Sequence, residues 1–250
     1  MGAGPAVSAC VLTRNERGRL AECLERLTWA DEIVVVDDES TDWTVEVARH
    51  FTSRVFVRAK QEDFAAQRNF ALEQARGEWV LFVDADERVT ETLRDEIREA
   101  VGCPRHSGYL LRRQEIHFGH FFRHGESLHV PLLRLARRGA GRWVGRVHER
   151  WRVLGPTAVL RNPLLHFSHA DIAHFVEVAN YYTTLDARRL LEEGRGGRAW
   201  QLIAYPLASF IRNYVWRQGF RDGTPGFIFA CLMALHPFLS RAKLLEGRLK

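Results

Sequence analysis

Apolar residues fall in short unbroken runs over the first third of the chain. AVSACVLT (6–13), EIVVVD (32–37), RVFV (54–57) and EWVLFVD (78–84) each read as a strand, because they are too short for a buried helix and have no polar face. Between them the spacing turns helical. Leu20, Cys23, Leu24 and Leu27 recur at i, i+3, i+4 and i+7. WTVEVARHF (43–51) reads as a helix with Ser40 or Asp42 as its N-cap. Residues 63–76 put Phe64, Ala71, Leu72 and Ala75 on one stripe and stop at Gly77. Thr90 caps a further helix that runs to about residue 100.

Strands apolar on both faces and alternating with helices specify a mostly parallel sheet covered on both sides. Right-handed crossovers then bring every C-terminal strand end to one edge, where open α/β sheets bind ligands. After residue 103 the pattern breaks into short strands and loops. Helical periodicity returns at 171–193, where Ile172, Phe175, Val176, Ala179, Tyr182 and Leu185 share a face. GRGGR (194–198) breaks it, and two aromatic, basic segments follow at 199–218 and 226–245. Their uncharged stretches fall short of the ~20 residues a bilayer span needs, and Pro206 and Pro237 interrupt them. These shifts predict an α/β domain over 1–165 and a helical C-terminal extension over 166–250.

Charge divides the chain in the same direction. The first 100 residues hold 13 Lys+Arg against 21 Asp+Glu, and the remaining 150 hold 23 against 10. An acidic first part suits a metal-dependent site, and a basic second part suits a phosphate or an anionic lipid surface. No nucleic-acid reader motif accompanies the positive charge, so nucleic acid is not an expected partner. Four scattered cysteines, with no CxxC pair, read as buried thiols in a reducing cytoplasm. The N-terminal residues show no leader pattern.

The chemistry concentrates at two strand ends. Asp37, Asp38 and Glu39 follow the second strand; Asp84, Asp86 and Glu87 follow the fourth. In an extended segment Asp84 and Asp86 face one small volume. Two such unpaired carboxylates repel and raise each other's pKa; a bound divalent cation removes that cost, and Mg²⁺ or Mn²⁺ takes one or two carboxylates plus the oxygens of a diphosphate. The alternative is a helix cap or a pairing with Arg88. Asp37 can accept from a base N–H or a ribose hydroxyl, or simply close a turn. Arg68 sits on the apolar stripe of its helix, where it either snorkels to solvent or meets a phosphate or base at the site edge. His117, His120 and His124 have zinc-like spacing, but in a stretch expected to form strands, with no cysteine or paired acid to complete the set. His166 and His169 read as packing or hydrogen-bonding residues.

VLTRNE, EIVVVDDESTDWT, QRNFALEQARGEWVLFVDADERVT and GRVHE together resemble the family-2 glycosyltransferases of the GT-A fold, most closely bacterial β-glucosyltransferases of the lipopolysaccharide core. The resemblance covers roughly the whole chain. It implies that Thr13 and Glu16 border the nucleotide, that Asp37 binds the base, and that Arg68 lies near base and phosphates. Asp84 would hold ribose or metal and Asp86 the metal, Mg²⁺ or Mn²⁺. Glu149 would be the general base, with His148 beside it and Arg146 or Arg150 supplying positive charge. Many relatives carry Gly where Glu39 stands. No QxxRW-type motif of processive synthases is present, which implies transfer of a single sugar. The expected activity is inverting transfer from a nucleotide-diphosphate donor, UDP-linked, to a glycan or glycolipid such as lipopolysaccharide core. The expected location is the cytoplasmic face of the inner membrane, with peripheral contact to anionic lipid. Two other readings remain open: a non-catalytic glycan- or lipid-binding module on the same fold, and a nucleotidyltransferase. The latter should carry a Gly-rich phosphate loop, of which TRNERGR is a poor version.

Overall fold

The protein is described from a computed structural model over residues 6–61, 63–125, 131–145 and 149–249, with 248 and 249 as backbone only. The chain divides into two compact units. Met1–Arg113 with His129–His166 form the first; Gln114–Leu128 with Phe167–Lys250 form the second.

The first unit opens with the alternation expected: β1 (Val7–Thr13), α1 (Arg17–Glu25), β2 (Glu32–Asp37), α2 (Thr44–Phe51), β3 (Val55–Val57), α3 (Phe64–Gln74) and β4 (Trp79–Asp84). A two-residue strand β5 (Glu87–Arg88) and α4 (Glu91–Gly102) follow. Along the chain then come β6 (Gly108–Leu111), β7 (Arg113–His117), β8 (His120–Phe121), β9 (Leu132–Arg137), β10 (Gly141–Val144), β11 (Arg150–Val153), β12 (Thr157–Val159) and β13 (Leu164–His169), of which β7 from Gln114 on, β8 and β13 from Phe167 on fall in the second unit. Seven strands form one sheet in the order β12-β6-β9-β4-β1-β2-β3. Its β3-β2-β1-β4 half is parallel, and β9 enters antiparallel to both β4 and β6.

Strand alternation sorts the apolar runs onto two faces. Ala9, Val11, Val35, Leu81 and Val83 pack with Leu20, Cys23, Leu24, Leu93 and Ile97 of α1 and α4. Cys10, Val34, Val36, Val80 and Phe82 pack with Ala65 and Ala71 of α3 and with Trp143 and Trp151 of the β10–β11 hairpin. Each large side chain so buried contributes about 1.5–3 kcal/mol, which fixes the strand ends rigidly.

Local chemistry sets the boundaries. Asp63 accepts from the Ala66 N–H and Thr90 from the Leu93 N–H, capping α3 and α4. Neither Ser40 nor Asp42 is the N-cap of α2. That position belongs to Trp43, with no side-chain cap; Asp42 instead accepts from the backbone N–H of Thr44 and of Arg17, and Ser40 turns back to Asp37. α3 ends at Gln74, before Gly77, whose role is close approach: a Cβ there would sit 2.7 Å from the Ser8 nitrogen.

In the second unit, β7 and β8 form a hairpin with His117 opposite His120, so these histidines do not share a helix face. His124 instead pairs with Asp222 at 2.9 Å. α5 (Ile172–Glu192), α6 (Gln201–Ile211), a π-turn (Arg212–Trp216), a 3₁₀ turn (Gly219–Asp222) and α7 (Gly223–Leu249) complete the unit. Pro206 and Pro237 lie inside α6 and α7 and do not interrupt them. Ser209 Oγ donates to the Met233 carbonyl at 3.2 Å, supplying the bond that Pro237, lacking an N–H, cannot. Gly219–Gly247 is consequently long and apolar enough to cross a membrane by length and composition, which the interrupted reading had not anticipated. Cys10 and Cys23 are buried, but Cys103 and Cys231 are exposed, contrary to the reading of four buried thiols.

Candidate active site

The two acidic clusters reach the same edge. In the sheet register Thr13 lies opposite Asp37, and Leu12 opposite Asp84, so the ends of β1, β2 and β4 are level. The loops beyond them are tied together. The Asn15 N–H donates to Ser40 Oγ at 2.8 Å, the Thr41 N–H to Asn15 Oδ1 at 2.8 Å, and the Glu16 N–H to Thr44 Oγ1 at 2.8 Å. Asp37 is fully buried and accepts from the Ser40 N–H at 2.8 Å. Asp38 accepts from the Lys60 N–H at 2.7 Å and from Arg14 Nη1 at 3.0 Å. Glu39 holds φ +52°, a left-handed conformation that costs a non-glycine residue about 1–2 kcal/mol.

The acids after β4 have three different environments. Asp84 is surrounded by guanidinium groups: Arg134 Nη2 at 2.6 Å, Arg68 Nη2 at 3.0 Å and Arg113 Nη2 at 3.2 Å. Burial opposes its ionisation, but Arg134, Arg68 and Arg113 outweigh it and hold its pKa well below the ordinary range. Glu87, fully buried, forms an ion pair with Arg113, Nε to Oε1 at 2.7 Å, and accepts from the Asp84 N–H at 2.8 Å. Arg88 turns away, bonding the carbonyls of Ala85 and Arg19. At Asp84 and Glu87 arginines therefore offset the like-charge cost of DADE, in place of the pairing with Arg88 that the sequence offered.

Asp86 differs. Its Oδ2 lies 3.2 Å from Nε2 of His166 on β13, which pairs with β5 in the register His166–Glu87. Burial raises the Asp86 pKa, but the hydrogen bond and charge of His166, with the charge of Arg113, together leave it lowered. Glu16 is pushed the other way, up to about 6, by burial, opposed by Arg19 and reinforced by the negative charge of Asp86. A carboxylate and an imidazole nitrogen side by side suit a divalent cation that takes its remaining ligands from water and a diphosphate. Among the described residues no group of three or more such side chains gathers, so the fit is of this two-donor kind.

Arg68 neither snorkels to solvent nor stands alone. Its Nε donates to Glu149 Oε1 at 2.8 Å while its Nη2 holds Asp84. The guanidinium lies 4.6 Å from the ring centroid of Trp143, which stacks on Trp151 across the β10–β11 hairpin. That hairpin carries Glu149, immediately before β11, into the cluster, 81 residues from Arg68 in sequence. Thr13 Oγ1 and Arg68 Nη1 are among the buried side-chain donors that lack a hydrogen-bond partner among the described residues. They suit the polar groups of a nucleotide ligand. A cavity of about 670 Å³ beside α3, lined by Arg58, Asn69, Phe70, Arg142 and Trp143 among others, includes none of these site carboxylates.

Of the residues singled out from sequence, Thr13, Asp37 and Asp84 align on one sheet edge, and Arg68, Asp84 and Glu149 are joined directly. Glu16 and Asp86 interact electrostatically. His148 and Arg146 lie outside the described residues, and Arg150 is exposed. Sequence reasoning missed Arg113, Arg134, the role of Glu87, and the contact of His166 with Asp86. Arg134 was detectable as a charge inside the apolar strand PLLRLA, the same signal that drew attention to Arg68.

Comparison with known proteins agrees with this arrangement. The profile of glycosyl transferase family 2 matches residues 8–141. The lipopolysaccharide core biosynthesis glycosyltransferase LpsC of Rhizobium meliloti (strain 1021) is 32% identical over 248 residues, covering 96% of this chain and 92% of LpsC. An uncharacterized glycosyltransferase of Rickettsia typhi is 26% identical, covering 98% of this chain and 88% of its own. Among solved structures, the mannosyltransferase PcManGT of Pyrobaculum calidifontis, in complex with GDP-Man and Mn²⁺, superposes with a TM-score of 0.50 at 16% identity, covering 98% of this chain and 88% of that one. A mostly parallel sheet with its acids gathered on the C-terminal edge, a profile match over more than half the chain and a full-length relative at 32% identity make this protein a member of glycosyl transferase family 2, a glycosyltransferase of GT-A fold.

Proposed function

We propose that the enzyme transfers a single sugar, with inversion, from a nucleoside-diphosphate sugar to a glycan or glycolipid of the lipopolysaccharide core type. The observation that carries this reading is the Glu149–Arg68–Asp84 chain at the end of β4, on the sheet edge that also presents Thr13 and Asp37. The lipopolysaccharide assignment is supported by the likeness to LpsC, a lipopolysaccharide core biosynthesis glycosyltransferase. UDP as carrier rests on the motif resemblance. The acceptor reading implies an enzyme working at the cytoplasmic membrane face, with peripheral lipid contact. A catalytic domain over 1–165 and a helical extension over 166–250 remain part of this proposal.

In the mechanism, Thr13, Glu16 and Asp37 bind the nucleoside, with Thr13 Oγ1 and Arg68 Nη1 as free donors. Glu149 takes the proton of the acceptor hydroxyl as its oxygen bonds the anomeric carbon, and the bond from that carbon to the diphosphate oxygen breaks on the opposite side. His148 is the neighbouring candidate. Arg68 fixes the Glu149 carboxylate through Oε1, which orients the base. Asp86 with His166 would hold Mg²⁺ or Mn²⁺, whose chemistry is to stabilise negative charge on the departing diphosphate. Asp84 would have to release a guanidinium to join them.

Glu149→Gln should abolish transfer while keeping donor binding, measured as the rise in melting temperature across a panel of UDP- and GDP-sugars with and without Mn²⁺. Wild-type transfer by this variant would move the base elsewhere. Absence of any nucleotide-dependent shift in the wild type would favour the non-catalytic reading.

A further inference from the structure

Within the second unit, the face of α6 and the π-turn toward solvent is apolar. Trp200, Ile203, Leu207, Ile211 and Val215 recur every three or four residues, so helical geometry lines them up on one stripe. All five are exposed, Ile203 by 74% and Leu207 by 55%, and the adjoining Trp216 by 77%. This is not the packing face of the helix, which is marked by buried Ser209 and its bond to α7. Contiguous exposed apolar surface of this kind marks an interaction site.

The charge accompanying the stripe has one sign. From Arg198 to Arg221 the chain carries four arginines, Arg198, Arg212, Arg217 and Arg221, and no aspartate or glutamate. All four are exposed. A second copy of this chain would bring these arginines against each other, so the charge pattern favours an anionic occupant over self-association. Beside the stripe, Tyr205, Ala208, Arg212 and Trp216 face Met233, His236 and Pro237 of α7 around a cavity of about 540 Å³. Apolar walls with an arginine and a histidine match the chain and the phosphate of an anionic phospholipid.

We propose that α6 and the π-turn form a docking surface for an anionic phospholipid bilayer. The helix lies in the interface plane, with the stripe among the acyl chains and the arginines at the headgroup phosphates. This gives residues to the membrane contact in the functional reading above, on which it rests for biological purpose but not for its test.

The test is flotation of the full chain with vesicles of phosphatidylcholine, with and without phosphatidylglycerol, at low and high salt. The wild type should float with phosphatidylglycerol vesicles at low salt and be released by high salt. Ile203→Ser and Leu207→Ser should each lower partitioning about tenfold or more, and Arg198→Gln about fivefold. Because these side chains are exposed, melting temperature and transfer to a delipidated soluble acceptor should stay at wild-type level. Equal partitioning onto vesicles lacking phosphatidylglycerol, or undiminished partitioning of the Ile203→Ser, Leu207→Ser double variant, would overturn the proposal. Retention through high salt and alkaline carbonate would also overturn it, pointing to insertion of α7. Lack of transfer by the wild type would sink the functional reading and leave the flotation result intact.

Discussion

Arg68 is the most exacting place to test the site, because one side chain holds two carboxylates through different nitrogens. Its Nε reaches Glu149 at 2.8 Å and its Nη2 reaches Asp84 at 3.0 Å, with the guanidinium against Trp143. In Arg68→Lys the charge remains, but a single ammonium cannot reproduce the fork. One charge-assisted hydrogen bond is lost, worth about 1.5–3 kcal/mol. Asp84 keeps Arg113 and Arg134, so the loss falls on Glu149, for which Arg68 is the hydrogen-bond partner among the described residues. A base displaced by ~1 Å costs on the order of 10²-fold in rate. The expected result is therefore a kcat about 100-fold lower, with the donor KM changed by no more than a few-fold. Steady-state transfer of a labelled sugar measures both, and a urea titration shows that the variant is folded under assay conditions and has lost about 1.5–3 kcal/mol of stability. Wild-type kcat in Arg68→Lys would refute the claim that Arg68 orients the base.

Three further outcomes follow from particular residues. Glu39→Gly should raise stability by about 1 kcal/mol, since glycine adopts φ +52° without strain; denaturant midpoints test this, and a loss of stability would show that the Glu39 side chain matters more than its backbone. Arg134→Met should cost about 3–5 kcal/mol, because it removes a buried cation from Asp84 and fully buried Glu87; a melting temperature within a degree or two of wild type would contradict the assignment of these acids to an arginine cluster. Glu16 binds its proton more tightly in the folded state, so its contribution to stability is fully present below its unfolded pKa and is lost as pH rises through about 6. Glu16→Gln should accordingly flatten the stability–pH curve between the ordinary glutamate pKa and that value, and an unchanged curve would argue against the burial that raises it.

What the sequence by itself determined was the framework. The runs at 6–13, 32–37, 54–57 and 78–84 could only be strands of a covered parallel sheet, and that topology sends Thr13, Asp37 and Asp84 to one edge whatever the later residues do. Asp63 and Thr90 capped their helices as their side chains require, while Ser40 and Asp42 found tighter partners in Asp37 and Thr44 and left the cap to Trp43. Only the tertiary structure decided how the charges pair. Arg134 reaches Asp84 from an antiparallel strand 50 residues away, Glu149 reaches Arg68 across 81 residues, and His166 meets Asp86 through the β13–β5 pairing. Periodicity registers which face a residue occupies within its own element, but an ion pair depends on where two distant elements meet, and no local pattern encodes that distance. The continuity of α7 through Pro237 has the same origin, because the missing N–H is compensated by a serine on another helix.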